Sequence, residues 1–266
     1  MLPTDLALRI QSQKKYKNLP LGTIERAIHW ASQREKKPKL IEKVARKKLH
    51  QIFGAYLAPF EFKTFQNTLQ ALNQADDQPT KENYFPLLKQ HHSTAERVGF
   101  LESFYDAIFE ITGPVKQVLD LASGLNPLGY LWFQEHCESY HGGDLDAQMM
   151  QELQAHFQAK APKISADVID LLAPQEPLKA EMIWIFKTLP CLEQQEKGAS
   201  LALLKQLDCK WLIISYPTQT LSGKNKGMAQ AYQTQFEALI EPLPYALIQK
   251  FNFENEMVFV LKKTQE

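Results

Sequence analysis

Cysteine is scarce in this chain of 266 residues, which contains three, Cys137, Cys191 and Cys209. They lie far apart, form no CxxC pair, and have no histidine at the spacing of a zinc module. This pattern argues against a disulfide framework and against a structural zinc site. We therefore expect a protein of a reducing compartment that holds no metal ion.

Long apolar runs are missing as well, since no stretch of about 18 apolar residues occurs. The first residues, MLPTDLALRIQSQKKYK, lack the apolar segment and cleavage site of a secretory signal. A hydrophobic content of 44% is nevertheless sufficient for a packed core and argues against a largely disordered chain. We therefore expect a soluble, cytoplasmic, folded protein.

The chain has no net charge, because 30 Lys and Arg balance 30 Asp and Glu, but the charges are unevenly distributed. Residues 1–50 contain 13 basic residues against 4 acidic ones. Lys39, Lys43 and Lys47 are i,i+4 neighbours on a helix that Pro38 is expected to begin, and their repulsion would weaken it. Contact with a polyanion would explain this pattern, while the alternative is an ordinary solvated helix surface.

The order of patterns along the chain indicates two kinds of structure. Residues 1–111 are predicted to be helical, with Thr23 as the N-cap of one helix and Ser93 with Glu96 as a capping box. From residue 115, short apolar runs alternate with helical stretches, and runs apolar on both faces predict a parallel sheet covered on both sides. The runs span residues 118–122, 140–145, 164–170, 182–187 and 211–217.

The end of the chain has a different pattern. Two apolar runs, 245–251 and 257–263, are joined by NFENE, which is too short for a crossover helix, so they are predicted to pair antiparallel. Five βα units closed by such a hairpin resemble the Rossmann-like class I methyltransferases. We predict an α/β fold with a seven-stranded, mostly parallel sheet, in which a helical domain (1–112) precedes the second domain (113–266).

Glycine-rich phosphate motifs are also absent, because the chain has neither GxGxxG nor GxxxxGK[ST], which disfavours hydrolysis of nucleoside triphosphates. The loop after the first strand still offers Ala122, Ser123 and Gly124, small residues that let backbone approach a ligand. Asp144 at the end of the second strand is placed to bind ribose, and Asp170, which closes the third strand, is placed to accept a hydrogen bond from an adenine amino group. Together they predict an adenosine pocket, although each acid alone could be an ordinary surface or capping residue.

Lys187 is a further candidate, since it ends the fourth strand and would face the same site. The alternative is a strand-end lysine whose stem is buried and whose ammonium reaches water. Residues 222–227, SGKNKG, form a basic segment that contains Lys224 and Lys226. This segment either connects two elements or closes over a substrate phosphate.

Seven segments, in order through almost the whole chain, carry a family resemblance. They are KKYKNL (14–19), KKLHQIFGAY (47–56), HSTAERV (92–98), VLDLASGLNPL (118–128), IFKTLP (185–190), SYPTQTLSGKNKGM (215–228) and NEMVFVLKK (255–263). The chain resembles the aminoglycoside-resistance 16S rRNA (guanine-N7) methyltransferases. The resemblance implies that S-adenosylmethionine is the cofactor and that the substrate is a guanine in the decoding site of the small ribosomal subunit.

The resemblance also implies roles for individual residues. Arg97 is expected to pair with the methionine carboxylate, while the loop 122–124 passes beside the methionine moiety. Ser123 replaces a cysteine that familiar members often carry, an exchange of small residues that leaves this assignment standing. The complete set of implied cofactor-binding residues is Arg97, Ala122, Ser123, Gly124, Asp144, Leu145, Asp170 and Leu171.

The implied reaction agrees with the lack of a legible catalytic dyad. Guanine N7 has an in-plane lone pair and no proton, so its methylation requires alignment of the reactants and no general base. We hypothesise that Lys187 or a loop donor binds guanine O6, and that the base is extruded from its stack. The lysines expected to contact rRNA phosphates are Lys14, Lys15, Lys43, Lys47, Lys48, Lys224 and Lys226.

Two other functions share the same pocket. One is a methyltransferase that acts on a different RNA, such as tRNA, and the other is a non-catalytic ribosome-binding or assembly factor that retains the pocket. A small-molecule methyltransferase fits less well, because it leaves the basic segment unexplained.

Overall fold

The computed structural model describes residues 3–54, 60–173, 176–218 and 228–264. Within these ranges, helices fill most of the chain up to residue 112 and then alternate with strands. None of the helices described is both long enough and apolar enough to cross a membrane. The helices are α1 (Pro3–Gln11), α2 (Leu21–Ser32), α3 (Pro38–Leu49), α4 (Phe62–Gln74), α5 (Lys81–Leu88), α6 (His92–Ala95), α7 (Leu101–Thr112), α8 (Ala147–Lys160), α9 (Leu189–Gln195), α10 (Ala199–Leu204) and α11 (Met228–Ile240).

A single mixed sheet contains seven strands in the order β3-β2-β1-β4-β5-β7-β6. The first five strands pair in parallel, and β7 pairs antiparallel with both β5 and β6. The predicted fold class and its terminal hairpin are therefore confirmed. The strands are β1 (Val115–Leu121), β2 (Cys137–Asp144), β3 (Ile164–Val168), β4 (Met182–Phe186), β5 (Trp211–Pro217), β6 (Tyr245–Asn252) and β7 (Glu256–Lys263).

Helices cover both faces of the sheet. On one face, α4, α5, α7 and α8 contribute to a core that contains Tyr105 and Trp184, whose rings are stacked with centroids 5.6 Å apart. On the other, α9, α10 and α11 contribute to a core that contains the stacked rings of Phe236 and Phe259. Because both faces are covered, all five residues of β4 are buried, which is the physical basis of its uninterrupted apolar sequence.

The first three helices form a separate bundle with its own core, which includes Ile10, Ile24, Ala31 and Leu49. Helices α4, α5 and α7 instead share their core with the sheet. Helix α7 ends at Thr112, and the first strand begins three residues later. The division into domains at residue 112 stays a prediction.

Two predicted helix caps are wrong, and in both cases a long-range contact takes the place of the local one. Helix α2 begins at Leu21, so Thr23 lies inside its first turn, where the hydroxyl donates to Asp170 instead of capping the helix. Ser93 lies within the short helix α6, whose N-cap is His91. Glu96 forms an ion pair with Lys187, lies 3.1 Å from Nε2 of His92, and does not complete a capping box.

Candidate active site

A cavity opens at the carboxyl edge of the sheet, beside β1 and β4, where the strand order reverses. Ligands of doubly wound sheets bind at this position. The cavity brings together residues from the segments that follow four parallel strands. The predicted site residues that line it are Ala122, Asp144, Leu145, Asp170, Leu171 and Lys187.

The loop after β1 passes close to its neighbours because of its backbone conformation. Ala122 and Gly124 both have positive φ angles, 58° and 54°. A Cβ atom at Gly124 would lie 2.8 Å from Cε1 of His91, so only glycine fits there. Ser123 between them is buried, and its hydroxyl has no hydrogen-bond partner in the part of the chain that the structure describes.

Asp144, the last residue of β2, fixes the shape of this loop. Its carboxylate accepts hydrogen bonds from the backbone N–H groups of Gly124 at 2.9 Å, Leu145 at 2.7 Å and Asp146 at 3.3 Å. Burial raises the pKa of Asp144, and these backbone hydrogen bonds oppose the shift. The acid is thus oriented at the cavity wall, and its expected contact with ribose hydroxyls stays a prediction.

Asp170 lies two residues after β3 and is held from two directions. Its Oδ2 atom accepts hydrogen bonds from the hydroxyl of Thr23, at 2.9 Å, and from the guanidinium of Arg26. Its Oδ1 atom accepts the backbone N–H of Leu172 at 3.1 Å. Helix α2 therefore reaches the wall of the cavity, which nothing in the local sequence around Asp170 indicates.

Arg97 is adjacent to this site but does not line the cavity. Its guanidinium binds both carboxylate oxygens of Glu256 at 2.7 Å, and Nη1 lies 3.5 Å from the amide oxygen of Asn126. Burial by itself would lower the pKa of Arg97, but Glu256 raises it above the ordinary value. The expected pairing of Arg97 with the methionine carboxylate stays a prediction. Of the three guanidinium nitrogens, Nη1 makes the longest of these contacts.

Lys187 follows β4 and occupies the left-handed region of the backbone, with φ at 56°. Its backbone N–H donates to the carbonyl of Ser215 at 3.0 Å, which ties the residue to β5. Its ammonium pairs with Glu96, lies 3.6 Å from Glu256 and donates to the Ser93 carbonyl at 3.3 Å. The side chain is 6% exposed, so this lysine faces the cavity and not bulk water.

His91 is a cavity residue that the sequence does not single out, since its only local signal is that it precedes a predicted capping box. Its ring is buried beside Gly124, and within the described ranges Nδ1 has no hydrogen-bond partner. Burial lowers its pKa to about 3, assisted by the positive charges of Lys187, His92 and Arg97. The imidazole is therefore neutral at pH 7 and can donate or accept one further hydrogen bond.

A network of buried, hydrogen-bonded polar side chains lies next to the site. Asp120, in β1, accepts hydrogen bonds at 2.6 Å from the amide of Asn126 and from the hydroxyl of Tyr140. The Tyr105 hydroxyl donates to the same Asn126 at 2.8 Å. Burial raises the pKa of Asp120 to about 7, although the two hydrogen bonds and Arg97 oppose the shift.

The predicted RNA-binding lysines differ in their position and in their exposure to solvent. Lys14, Lys15, Lys43 and Lys47 are exposed on the N-terminal bundle, and the last three line one shallow depression together with Lys39. We call these five lysines the basic face. Lys224 and Lys226 fall outside the described residues.

Lys48 requires a correction. It is buried, its ammonium donates to the backbone carbonyl of Gln194, and it lies 4.3 Å from the centre of the Trp30 ring. Burial lowers its pKa, and nearby Arg34 lowers it further. Lys48 therefore joins α3 to the end of α9 and is not part of the exposed basic face.

The donors and acceptors around the cavity fit S-adenosylmethionine. In the described ranges, no group of three or more His, Cys, Asp or Glu is arranged to hold a metal. Asp144 and Asp170 can accept from the hydroxyl and amino groups of adenosine, and the Nδ1 atom of His91 is available to a ligand. The fold and this cavity define a class I S-adenosylmethionine-dependent methyltransferase.

Comparison with known proteins specifies the family. The sequence model of the ribosomal RNA methyltransferase (FmrO) family matches residues 12–260, so the chain belongs to that family. A Serratia marcescens protein named 16S rRNA (guanine(1405)-N(7))-methyltransferase is 31% identical over 97% of this chain and 98% of its own. A protein of that name from Proteus mirabilis is 29% identical over 97% and 96%. The crystal structure of the 16S rRNA methyltransferase RmtF with S-adenosyl-L-homocysteine has a TM-score of 0.86 and 28% identity, covering 98% of each chain.

Proposed function

We propose that this protein transfers the methyl group of S-adenosylmethionine to N7 of the guanine equivalent to position 1405 of 16S rRNA, in the assembled small ribosomal subunit. The observation that carries the proposal is the cavity at the carboxyl edge of the sheet, where Asp144, Asp170 and Lys187 meet. The names of relatives that match nearly the whole chain support the choice of target atom and nucleotide.

The cofactor supplies an electrophilic methyl group on a sulfonium, so the protein has to bind and orient the two reactants. Guanine N7 has no proton to remove, so the reaction needs no general base. The titratable side chains at the cavity are consistent with a reaction of this kind. Lys187 is engaged with Glu96, and His91 is neutral at pH 7. Neither residue is required as a proton acceptor in this reaction.

Lys187 is proposed to bind guanine O6. Its ammonium has three hydrogens, and it lies at the cavity wall within reach of a base that enters from outside. O6 and N7 are acceptors on one edge of guanine, so a donor to O6 leaves the N7 lone pair facing the methyl group. Lys187 has a positive φ, a backbone conformation that is costly for a residue other than glycine and that clusters at ligand-binding and active sites.

The basic face is proposed to dock on rRNA phosphates of the small subunit. Lys14, Lys15, Lys43 and Lys47 are exposed on one bundle, whereas most of the acidic residues lie in the remainder of the chain. Phosphate contacts of this kind supply binding energy that does not depend on the RNA sequence. Base extrusion costs free energy, and this binding energy offsets the cost. Since the substrate is a ribosome, we also propose a cytoplasmic location.

The test is transfer of a labelled methyl group from S-adenosylmethionine to three substrates: purified small subunits, protein-free 16S rRNA and bulk tRNA. We expect labelling of the small subunits, with no labelling by an Asp144→Ala variant. Labelling of tRNA alone would support the alternative RNA substrate, and binding to subunits without any transfer would support a non-catalytic factor.

Resistance is a separate proposal that needs a cellular test. Methylation of this guanine would remove an acceptor that aminoglycosides could use in the decoding site. Expression in a susceptible bacterium should raise the inhibitory concentration of some aminoglycosides, and the Asp144→Ala variant should not. Unchanged susceptibility together with methylated subunits would refute the resistance role and leave the enzymatic one intact.

A further inference from the structure

Asp170 is shared between the cofactor cavity and the N-terminal bundle. Thr23 and Arg26, which both lie on α2, bind its Oδ2 atom although they precede it by 147 and 144 residues. The three side chains also contact one another, since Arg26 Nη2 lies 3.2 Å from the Thr23 hydroxyl. These contacts form a three-residue cluster at the junction of the bundle with the sheet.

Counted over the residues that the structure describes, the hydrogen bonds to Asp170 leave it one place for a ligand. An ionised carboxylate has about four acceptor positions on its two oxygens. Two of them are used on Oδ2 by α2, and one on Oδ1 by the N–H of Leu172. The remaining position is on Oδ1, and the residue lines the cavity.

The same side of the cavity contacts the bundle at a second point. The backbone N–H of Ala147 donates to the carbonyl of Asn18 at 3.1 Å, just after Asp144 and Leu145. Leu145, which lines the cavity, also packs against the core of the bundle. Asp144 and Asp170, the two acids predicted to bind adenosine, therefore both lie next to or among residues that contact the N-terminal bundle.

We propose that Thr23 and Arg26 are positioning residues of the cofactor site, which hold the Asp170 carboxylate so that its free Oδ1 position accepts a hydrogen bond from the adenine amino group. This inference rests on the proposed binding of adenosine by Asp170. Without Arg26, the acid would lose its charged partner and gain rotamer freedom, so the ligand would have to order it. The N-terminal bundle thus contributes to cofactor binding as well as to RNA docking.

The experiment measures dissociation constants by calorimetry for S-adenosylhomocysteine and for its deaminated analogue, S-inosylhomocysteine, in which an oxygen replaces the adenine amino group. The full-length variants are Arg26→Ala, Thr23→Val and the conservative Thr23→Ser. Arg26→Ala should raise the dissociation constant for S-adenosylhomocysteine about tenfold, Thr23→Val by less, and Thr23→Ser should restore wild-type affinity. The deaminated analogue should bind the variants no more weakly than it binds the wild type, because its C6 position carries a carbonyl oxygen, which cannot donate to Asp170 as the adenine amino group does.

Arg9→Ala is the matched control, because Arg9 forms an ion pair with Glu42 within the same bundle. This variant should bind both ligands as the wild type does. Unchanged affinity of Arg26→Ala for S-adenosylhomocysteine would overturn the inference, as would an equal loss for both ligands, which would indicate general damage to the fold. If the wild type bound neither ligand, the proposed function itself would fail.

Discussion

Arg97 and Glu256 form a bidentate ion pair across 159 residues of sequence, with both N–O distances at 2.7 Å and side-chain exposures of 1% and 0%. Arg97 follows the short helix α6, and Glu256 begins β7, so the pair joins the helical part of the chain to the last strand. Ser215 also donates a hydrogen bond to Glu256 from β5. The pair therefore fixes the position of the segment that carries Ser93 and Glu96, which contact Lys187.

Glu256→Gln should destabilise the fold strongly. The substitution leaves the Arg97 guanidinium buried without a compensating charge, and loss of one partner of a buried pair costs about 3–5 kcal/mol. Urea denaturation measures this difference in the free energy of unfolding. Glu254→Gln makes the same chemical change at an exposed position two residues away and should have an effect within about 0.5 kcal/mol. Equal stability of the two variants would refute a structural role for the ion pair.

Lys187→Ala should lower turnover more than cofactor affinity. The ammonium is proposed to bind guanine O6 during methyl transfer, and removal of such a donor lowers kcat on the order of 100-fold. The dissociation constant for S-adenosylmethionine should change less than about threefold. Single-turnover methylation of small subunits and calorimetry measure the two quantities, with exposed Lys205→Ala as the control. Unchanged turnover would remove the proposed role of Lys187.

Reversal of two charges on the basic face should weaken subunit binding. Lys43→Glu combined with Lys47→Glu replaces attraction to phosphates by repulsion, and we expect about tenfold weaker binding or more. The slope of log affinity against log salt should decrease by about 1 for each phosphate that the variant no longer neutralises. Affinity for S-adenosylmethionine should not change.

The matched control for this variant is Lys205→Glu combined with Lys210→Glu, at exposed positions outside the N-terminal bundle. It should bind subunits with the wild-type salt dependence. If both double variants showed the same decrease in affinity, net charge and not the basic face would control docking.

Asp120→Asn should change how stability depends on pH. The pKa of Asp120 is about 7 in the folded protein and 3.8 for the ordinary side chain. Between these pH values the folded state binds more protons than the unfolded state, so this residue makes wild-type stability fall as pH rises. The Asn variant cannot titrate, and its amide oxygen can accept the hydrogen bonds from Asn126 and Tyr140.

The stability of Asp120→Asn relative to the wild type should therefore increase from pH 4 to pH 7 and then level off. Urea denaturation at several pH values measures the two curves. Parallel curves for the two proteins over that range would show that Asp120 ionises normally.

The sequence predicted site residues best where a polar or charged residue directly follows a predicted strand. Asp144 and Lys187 could be placed at one site because each follows a buried parallel strand, and the carboxyl ends of such strands meet at one edge. The exposed lysines of the basic face could be identified from charge alone. These features depend on local patterns, which a single sequence contains.

Contacts between distant segments could not be predicted in this way. Nothing near Asp170 indicates that Arg26 will bind it, and nothing near Lys48 indicates that its ammonium will reach the carbonyl of Gln194. The predicted cap at Thr23 failed for the same reason, because its hydroxyl donates to Asp170, while Ser93 lies inside α6 and Glu96 pairs with Lys187. Such contacts depend on how helices pack on the sheet, which periodicity does not specify.

The most direct test of the methyl-transfer proposal is nucleoside analysis of 16S rRNA from small subunits incubated with the protein and S-adenosylmethionine. The expected result is close to one additional 7-methylguanosine per subunit, located at the guanine equivalent to position 1405. Subunits that bind the protein and its cofactor but gain no 7-methylguanosine, or gain a methyl group on a different atom, would contradict it.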